Sequence, residues 1–318
     1  PAVFIPIRKM GYSMAPRPGW DRTFDWSGYV PFDEMPYLYN PPEGYISTAN
    51  NRTIGNEFPY YISGLWADPS RSSRIKEVLD KEKKFSLEDM KALQLDLTSN
   101  YSKEILPFIL KNAGSYQNQI FERAIKFLKD WNHIESIDSE GTLIFHSISN
   151  EIIRNIYYDE LSVLGDKYFE TYIGLKYITK RNLRRILKSH TNKWVDDIRT
   201  PTKIETIDEI ITKSIESGIQ KVVDSYGPNW SNWKWGSAHS LTHKHILGDV
   251  KILNYLFRLN VGPYLSGGSD VTPNAGGYSL HKGFNQTSGA SMRRIVDFSD
   301  LNKTNMILPT GQSGLHNS

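Results

Sequence analysis

The sequence predicts an α+β fold in which one sheet-containing unit is interrupted by a block of helices. Three observations predict it. Residues 1–66 are rich in proline, glycine and aromatics, with short extended stretches. From 67 to 225 the apolar residues recur at helical spacing. From 226 to 318 the chain becomes loop-rich and then strand-like. That order suggests one interrupted domain rather than two independent modules.

In the first region, Val3-Phe4-Ile5-Pro6-Ile7 and Gly44-Tyr45-Ile46-Ser47-Thr48-Ala49 read as strands bounded by turn residues. Pro16, Pro18 and Gly19 mark one loop, and Pro41 and Pro42 another. In the second region, Ser86 is placed to cap a helix, with Asp89 in the capping-box position and Phe85 and Met90 placed as a hydrophobic staple. That helix is expected to present Met90, Leu93 and Leu97 on one face. Ile105 to Leu110, with Pro107 inside it, reads as a core or helix-start segment. Ile120, Ala124, Phe127 and Leu128 mark another helix, and Ile152, Ile153, Ile156 and Leu161 a third. Ile207, Ile210, Ile211 and Ile215 mark a later one, capped by Thr206 with Glu209. In the third region, Gly227, Pro228 and Gly267-Gly268-Ser269 are breakers, and Arg294-Ile295-Val296-Asp297-Phe298 reads as a strand.

Apolar residues make up 39% and charged residues 23% of the 318, a globular composition long enough to bury a core. The net charge of +3 is small for this length. The densest basic cluster is Lys180, Arg181, Arg184, Arg185 and Lys188, alternating with Leu183, Ile186 and Leu187. It reads as a solvated helix face, so no nucleic-acid partner is expected. There is no cysteine, hence no disulfide framework and no thiolate zinc site. No apolar run approaches the ~20 residues of a membrane span. The chain starts at Pro1 without a charged-then-apolar leader, which reads as a processed or internal product. Sequons at Asn51, Asn100, Asn229, Asn285 and Asn302 would accept glycans in an exported chain.

No phosphate-binding loop, dinucleotide fingerprint or Gly-X-Ser-X-Gly elbow is present. His239, His243 and His245 lie close in sequence, but the glutamate of a zinc protease is missing from between them, and hydrogen-bonded structural histidines are the better reading. Trp230, Trp233 and Trp235 read as packing residues. Asn40-Pro41-Pro42-Glu43-Gly44-Tyr45-Ile46-Ser47-Thr48-Ala49-Asn50-Asn51 is a turn and a short extended run ending in two amides. An amide N–H fixed there can serve as an oxyanion donor, although Asn-Asn is also an ordinary turn.

These residues, with others in order along the chain, resemble the penicillin acylase family. The matching stretches are Asp25 to Pro36, Asn40 to Asn51, Trp66 to Ile75, Ser86 to Asp96, Trp235-Gly236, Ser291 to Asp297 and Pro309 to Gly314. The resemblance implies the αββα sandwich of N-terminal-nucleophile hydrolases, with this chain giving later strands of the large subunit and a helical insertion. It implies self-cleavage of a precursor into a heteromer, and hydrolysis of a linear N-acyl amide by an N-terminal serine. It makes Asn50 the oxyanion asparagine and Arg71 the orienting arginine, with Arg74 the nearby competitor. The nucleophile would lie on a partner, either the N-terminal part of the large subunit or a segment upstream of this chain. The small subunit would be a second partner.

No cofactor is required for that chemistry. Calcium is common in the family, but Phe58-Pro59-Tyr60-Tyr61-Ile62 holds no carboxylate where a ligand is expected, and Glu57 is poorly aligned. An extracellular, cell-surface or periplasmic location is expected. The rival expectation is an inactive relative kept as a structural subunit of a cell-surface assembly. A sugar-binding aromatic module, resting only on tyrosine and tryptophan abundance, ranks last.

Overall fold

A computed structural model describes residues 4–10, 14–81, 84–189 and 192–310. The chain enters through strand β1 (Pro6–Arg8), which pairs antiparallel with β2 (Trp26–Tyr29). Ile5, Val30 and Met35 make a small core beneath this hairpin. The strand therefore sits later than the expected Val3–Ile7, and Val3 itself lies outside the described residues. Gly44–Ala49 forms no strand among the described residues, contrary to expectation: Gly44 and Ala49 lie in bends, with irregular chain between them. An extended run becomes a strand only when a neighbour meets its backbone donors and acceptors, and here Ala49 N–H turns instead to the Asn51 side chain.

Helices then dominate. They are α1 (Ser70–Leu79), α2 (Leu87–Gln94), α3 (Asn100–Lys111), α4 (Gln119–Asp130), α5 (Glu140–Val163), α6 (Asp166–Gly174), α7 (Lys176–Ser189) and α8 (Ile207–Tyr226). Their starts follow the capping chemistry of the sequence. Ser86 with Asp89 and Thr206 with Glu209 form full capping boxes, and Ser99, Asn118 and Ser139 cap α3, α4 and α5. Helix α2 ends at Gln94, so Leu97 lies beyond it and packs on Gly267 and Gly268 instead. The Asn100 sequon opens α3, and its side-chain amide donates to Glu77 and Ser73, which commits it to structure.

Helix α5 is the axis of the core. Its residues from Gly141 to Ser149 are all buried, the mark of a helix enclosed on every side. It packs chiefly on α8, flanked by α4 and α6. The two axes approach closely at Gly218, where a Cβ would sit 2.7 Å from the Ile148 Cα. Beyond the helices come α9 (Trp235–Ala238), β3 (Ser240–His243), α10 (Lys251–Phe257), β4 (Val261–Leu265), β5 (Gly276–Tyr278), β6 (Gln286–Gly289), β7 (Arg293–Ile295) and β8 (Asn305–Ile307). Four strands form a sheet in the order β4-β3-β6-β5, and β7 pairs with β8. Strand β7 is shorter than the expected Arg294–Phe298, because Asp297 turns the chain by accepting from Ser299 N–H. Of the Pro309–Gly314 stretch, Gly311–Gly314 lies outside the described residues.

The largest departure from expectation is α7. Its cluster is not one solvated face. Lys180 and Arg184 are buried, while Arg185 and Lys188 are exposed. Helical geometry explains the split: positions 180, 183, 184 and 187 share one stripe, so the two cations ride inward with Leu183 and Leu187. Each meets a distant carboxylate. Lys180 pairs with Asp270. Arg184 pairs with Asp68 at 3.0 Å and with Glu104 at 2.8 Å. The Tyr101 ring lies 5.6 Å from the Lys180 ammonium and 5.7 Å from the Arg184 guanidinium. Nearby, His146 lies 3.2 Å from Glu135, both fully buried.

Breaking a buried pair leaves an uncompensated charge. Arg184→Ala is expected to cost about 3–5 kcal/mol in urea unfolding, whereas Arg185→Ala on the outer stripe should stay within about 0.5 kcal/mol. Burial pushes the Asp270 carboxyl up, but the Lys180 and Lys176 ammoniums outweigh it and hold it below the usual range. A depressed carboxylate contributes stability above its unfolded pKa of about 3.9 and loses it as pH falls through the lower folded value. The urea midpoint should therefore drop as pH is lowered past about 4, and the drop should be smaller in Asp270→Asn.

Candidate functional site

The segment leading to Asn50 is built from turns. Asn40 takes a left-handed φ of 47° before Pro41, and Gly44 closes the turn by donating to the Pro41 carbonyl at 3.0 Å. Four residues without regular structure follow. The chain then folds tightly, with Asn51 Oδ1 accepting from Ala49 N–H at 3.0 Å. Asn50 sits at the apex with φ of 62°, a left-handed conformation that asparagine tolerates better than most side chains. Its carbonyl accepts from Ala67 N–H at 2.8 Å, which ties this turn to the start of α1.

Arg71, in the first turn of α1, completes the arrangement. Its Nη2 donates to the Ala49 carbonyl at 2.8 Å and to Asn50 Oδ1 at 3.0 Å. A guanidinium only donates, so the amide must present oxygen to it and turn its NH2 the other way. Asn50 Nδ2 has no partner among the described residues, and the side chain is exposed. The result is one neutral N–H donor, fixed in direction and backed by a cation. Such a group can stabilise a developing oxyanion; it is neither a nucleophile nor a base.

Arg71 is held from beneath by α7. Asp68, just ahead of α1, accepts from Ser70 N–H at 2.9 Å and from the Ser70 hydroxyl, meeting one of the free N–H groups at the helix start. Arg184 grips the same carboxylate and donates to Ser70 Oγ at 3.0 Å. Arg181 donates to the carbonyls of Gly64 at 3.0 Å and Trp66 at 3.3 Å. Two arginines of one helix thus fix the backbone that launches Arg71. Arg74, the competing arginine, is committed elsewhere: it meets Asp96 at 2.6 Å and Glu77 at 3.3 Å. Sequence reasoning did not single out Asp68 or Arg184 as supports. The available signal was the i, i+4 placement of Lys180 and Arg184 on an apolar stripe.

The histidines do not converge. His239 is buried, its ring stacked 4.7 Å from that of Trp235, and its Nδ1 donates to the Phe284 carbonyl at 2.5 Å. Burial holds its pKa below the ordinary value, so it is a neutral structural ring. His243 lies on β3, and His245 is exposed, accepting from Leu247 N–H at 3.1 Å. Trp233 and Trp235 are fully buried and donate to the carbonyls of Gly227 and Gly268, as packing residues should. The residues near 58–62 do not fit calcium. They include no carboxylate, Tyr60 Oη donates to Glu34 at 2.7 Å, and no three carboxylate or histidine groups converge among the described residues.

The sequence model of the family described as Penicillin amidase matches residues 2–318. An acyl-homoserine lactone acylase QuiP from Pseudomonas fluorescens (strain Pf0-1) is 26% identical over 98% of this chain and 38% of its own length. Penicillin acylase 2 proenzyme from Pseudomonas sp. (strain SE83) is 35% identical over 30% of this chain and 12% of its own length. The chain thus spans about two fifths of the length of the acyl-homoserine lactone acylases it matches. A thermostable penicillin G acylase from Alcaligenes faecalis superposes over 72% of this chain and 45% of its own, with a TM-score of 0.52 and 17% identity. That likeness shows a shared fold, an N-terminal-nucleophile hydrolase fold of mixed helix and sheet.

The left-handed φ at Asn50 gives a stability test. Asn50→Gly should leave the melting temperature unchanged or slightly raised, because glycine adopts this conformation freely. Asn50→Val should cost about 1–3 kcal/mol through backbone strain.

Proposed function

The chain belongs to the penicillin amidase family, and from that premise we propose that it supplies the oxyanion donor for hydrolysis of a linear N-acyl amide. In this reading a serine at the N-terminus of a companion segment attacks the amide carbonyl. The α-amine of that serine, with an unperturbed pKa of about 7.7–8.0, takes the hydroxyl proton and passes it to the leaving amine. Water then releases the carboxylic acid from the acyl-serine ester. Asn50 Nδ2 donates to the carbonyl oxygen as it gains charge in each tetrahedral intermediate. Arg71 is a positioning residue, acting through Asn50 Oδ1.

The observation that carries the reading is the direction of the Asn50 amide. Its oxygen is occupied by Arg71 at 3.0 Å, which leaves the N–H side facing outward without a partner among the described residues. A second observation supports a companion. Phe4, Trp20, Phe32, Tyr37 and Tyr39 are all largely exposed within the first region, and a concentration of bare aromatics marks a surface that another segment covers.

Losing one oxyanion donor costs about 10²–10³ in kcat. Asn50→Ala in the assembled protein should show that loss while still folding, and Asn50→Gly, which keeps the left-handed backbone unstrained, should show it without a lowered urea midpoint. Arg71→Met should lower kcat through the same step, while Arg74→Met should affect stability more than turnover. Wild-type turnover by Asn50→Ala would refute the assignment. N-terminal sequencing of copurifying chains that finds no serine, threonine or cysteine terminus would favour a non-catalytic relative.

A further inference from the structure

Helix α7 has a second stripe beside the one that carries Lys180 and Arg184. Asn182, Arg185, Ile186 and Ser189 follow the i, i+3, i+4, i+7 spacing of one helix face. That face borders a cavity of about 500 Å³, within the size range of small-ligand pockets. The other walls come from α5, α6 and the short 3₁₀ turn Lys193–Val195 with Asn192 before it. Neither Asn50 nor Arg71 lines it.

One side of the cavity is aromatic. Tyr157 is buried, with its ring centroid 4.6 Å from that of Tyr172 and 5.5 Å from that of Trp194. Tyr172 and Trp194 are half-buried, so part of each side chain stays open. The other side has polar groups with capacity to spare. Asn182 Nδ2 donates to Tyr172 Oη at 3.1 Å, which leaves Oδ1 to accept. Asn192 Oδ1 accepts from Trp194 N–H at 3.1 Å, which leaves Nδ2 to donate. Arg185 is the one charged side chain in the lining among the described residues. Glu104 is taken by Arg184 and Lys188, and no carboxylate lies within ion-pair distance of Arg185 among the described residues.

Each feature narrows the ligand. An unpaired guanidinium matches one carboxylate through two parallel hydrogen bonds; with a single cation in the lining, a dianion is left half-neutralised. A spare amide acceptor and a spare amide donor call for hydroxyls, which a plain arene lacks. The aromatic side calls for an apolar face. We propose that this cavity binds a hexuronate, an acidic pyranose. Its C–H face lies on Trp194 and Tyr172, its hydroxyls meet Asn182 Oδ1 and Asn192 Nδ2, and its carboxylate meets Arg185. The site is independent of the role assigned to Asn50.

The test is isothermal titration calorimetry of the full chain with glucuronate and galacturonate. The matching uronamides serve as neutral isosteres, and benzoate as an acid without hydroxyls. At least one uronate should bind about tenfold or more tightly than its uronamide, the margin of a charge-assisted hydrogen bond, and benzoate should bind more weakly than that uronate. Arg185→Met should weaken the uronate to the level of the uronamide. Trp194→Ala should abolish binding of both. Because Trp194 also packs on Tyr157, Asn182→Leu serves as a second variant, expected to weaken uronate and uronamide alike, with far-ultraviolet circular dichroism confirming that each variant folds. Four results would overturn the proposal: uronates and uronamides binding alike, Arg185→Met binding uronate as the wild type does, benzoate binding as tightly as either uronate, or the wild type failing to bind either uronate at millimolar concentration.

Discussion

Two cations on the inner stripe of one helix set the terms for the rest of the molecule. Burying Lys180 or Arg184 alone would cost several kcal/mol, and α7 carries no carboxylate of its own to offset it. The partners come from far along the chain: Asp68 is 116 residues from Arg184, and Asp270 is 90 from Lys180. Lys180 is thus unpaired until the segment bearing Asp270 has docked, and Arg184 has only the more exposed Glu104 of α3 until Asp68 joins it. The buried Tyr101 ring offers its face to both cations. Burial drives the phenols of Tyr101 and Tyr278 well above their ordinary range, so both stay neutral there.

The same constraint reaches the candidate site by a short route. Arg184 fixes Asp68, Asp68 accepts from the first N–H of α1, α1 launches Arg71, and Arg71 fixes the Asn50 amide. Each link is a hydrogen bond or ion pair of ordinary length, and only the last lies at the surface. An oxyanion donor works when it is already aimed before charge develops, since nothing then has to reorganise. The rigidity needed for that comes from the helical block, not from the exposed turn that bears Asn50.

Local chemistry was readable in the sequence, and long-range chemistry much less so. The boxes at Ser86 and Thr206 involve residues three apart, and they appear as read. The apolar spacing of 120–128 and 207–215 gave helices for the same reason. The Gly44–Ala49 run has strand-like composition, but pairing depends on a neighbour that composition does not specify. The sequence predicts Lys180 and Arg184 to be solvated because charge usually is. Their register with Leu183 and Leu187 held the contrary signal, which becomes legible only once Asp68 and Asp270 are seen opposite them. The Asn50–Arg71 contact, 21 residues apart, was approached through the family resemblance, since spacing alone does not distinguish it from an ordinary turn.

The most direct measurement is a crystal structure of the assembled protein with a tetrahedral adduct of a boronic acid or phosphonate that mimics the acyl intermediate. The account predicts the adduct's oxygen about 2.7–3.1 Å from Asn50 Nδ2, with Asn50 Oδ1 still facing Arg71. An adduct whose oxygen is held by other donors, with the Asn50 amide left facing solvent, would contradict it.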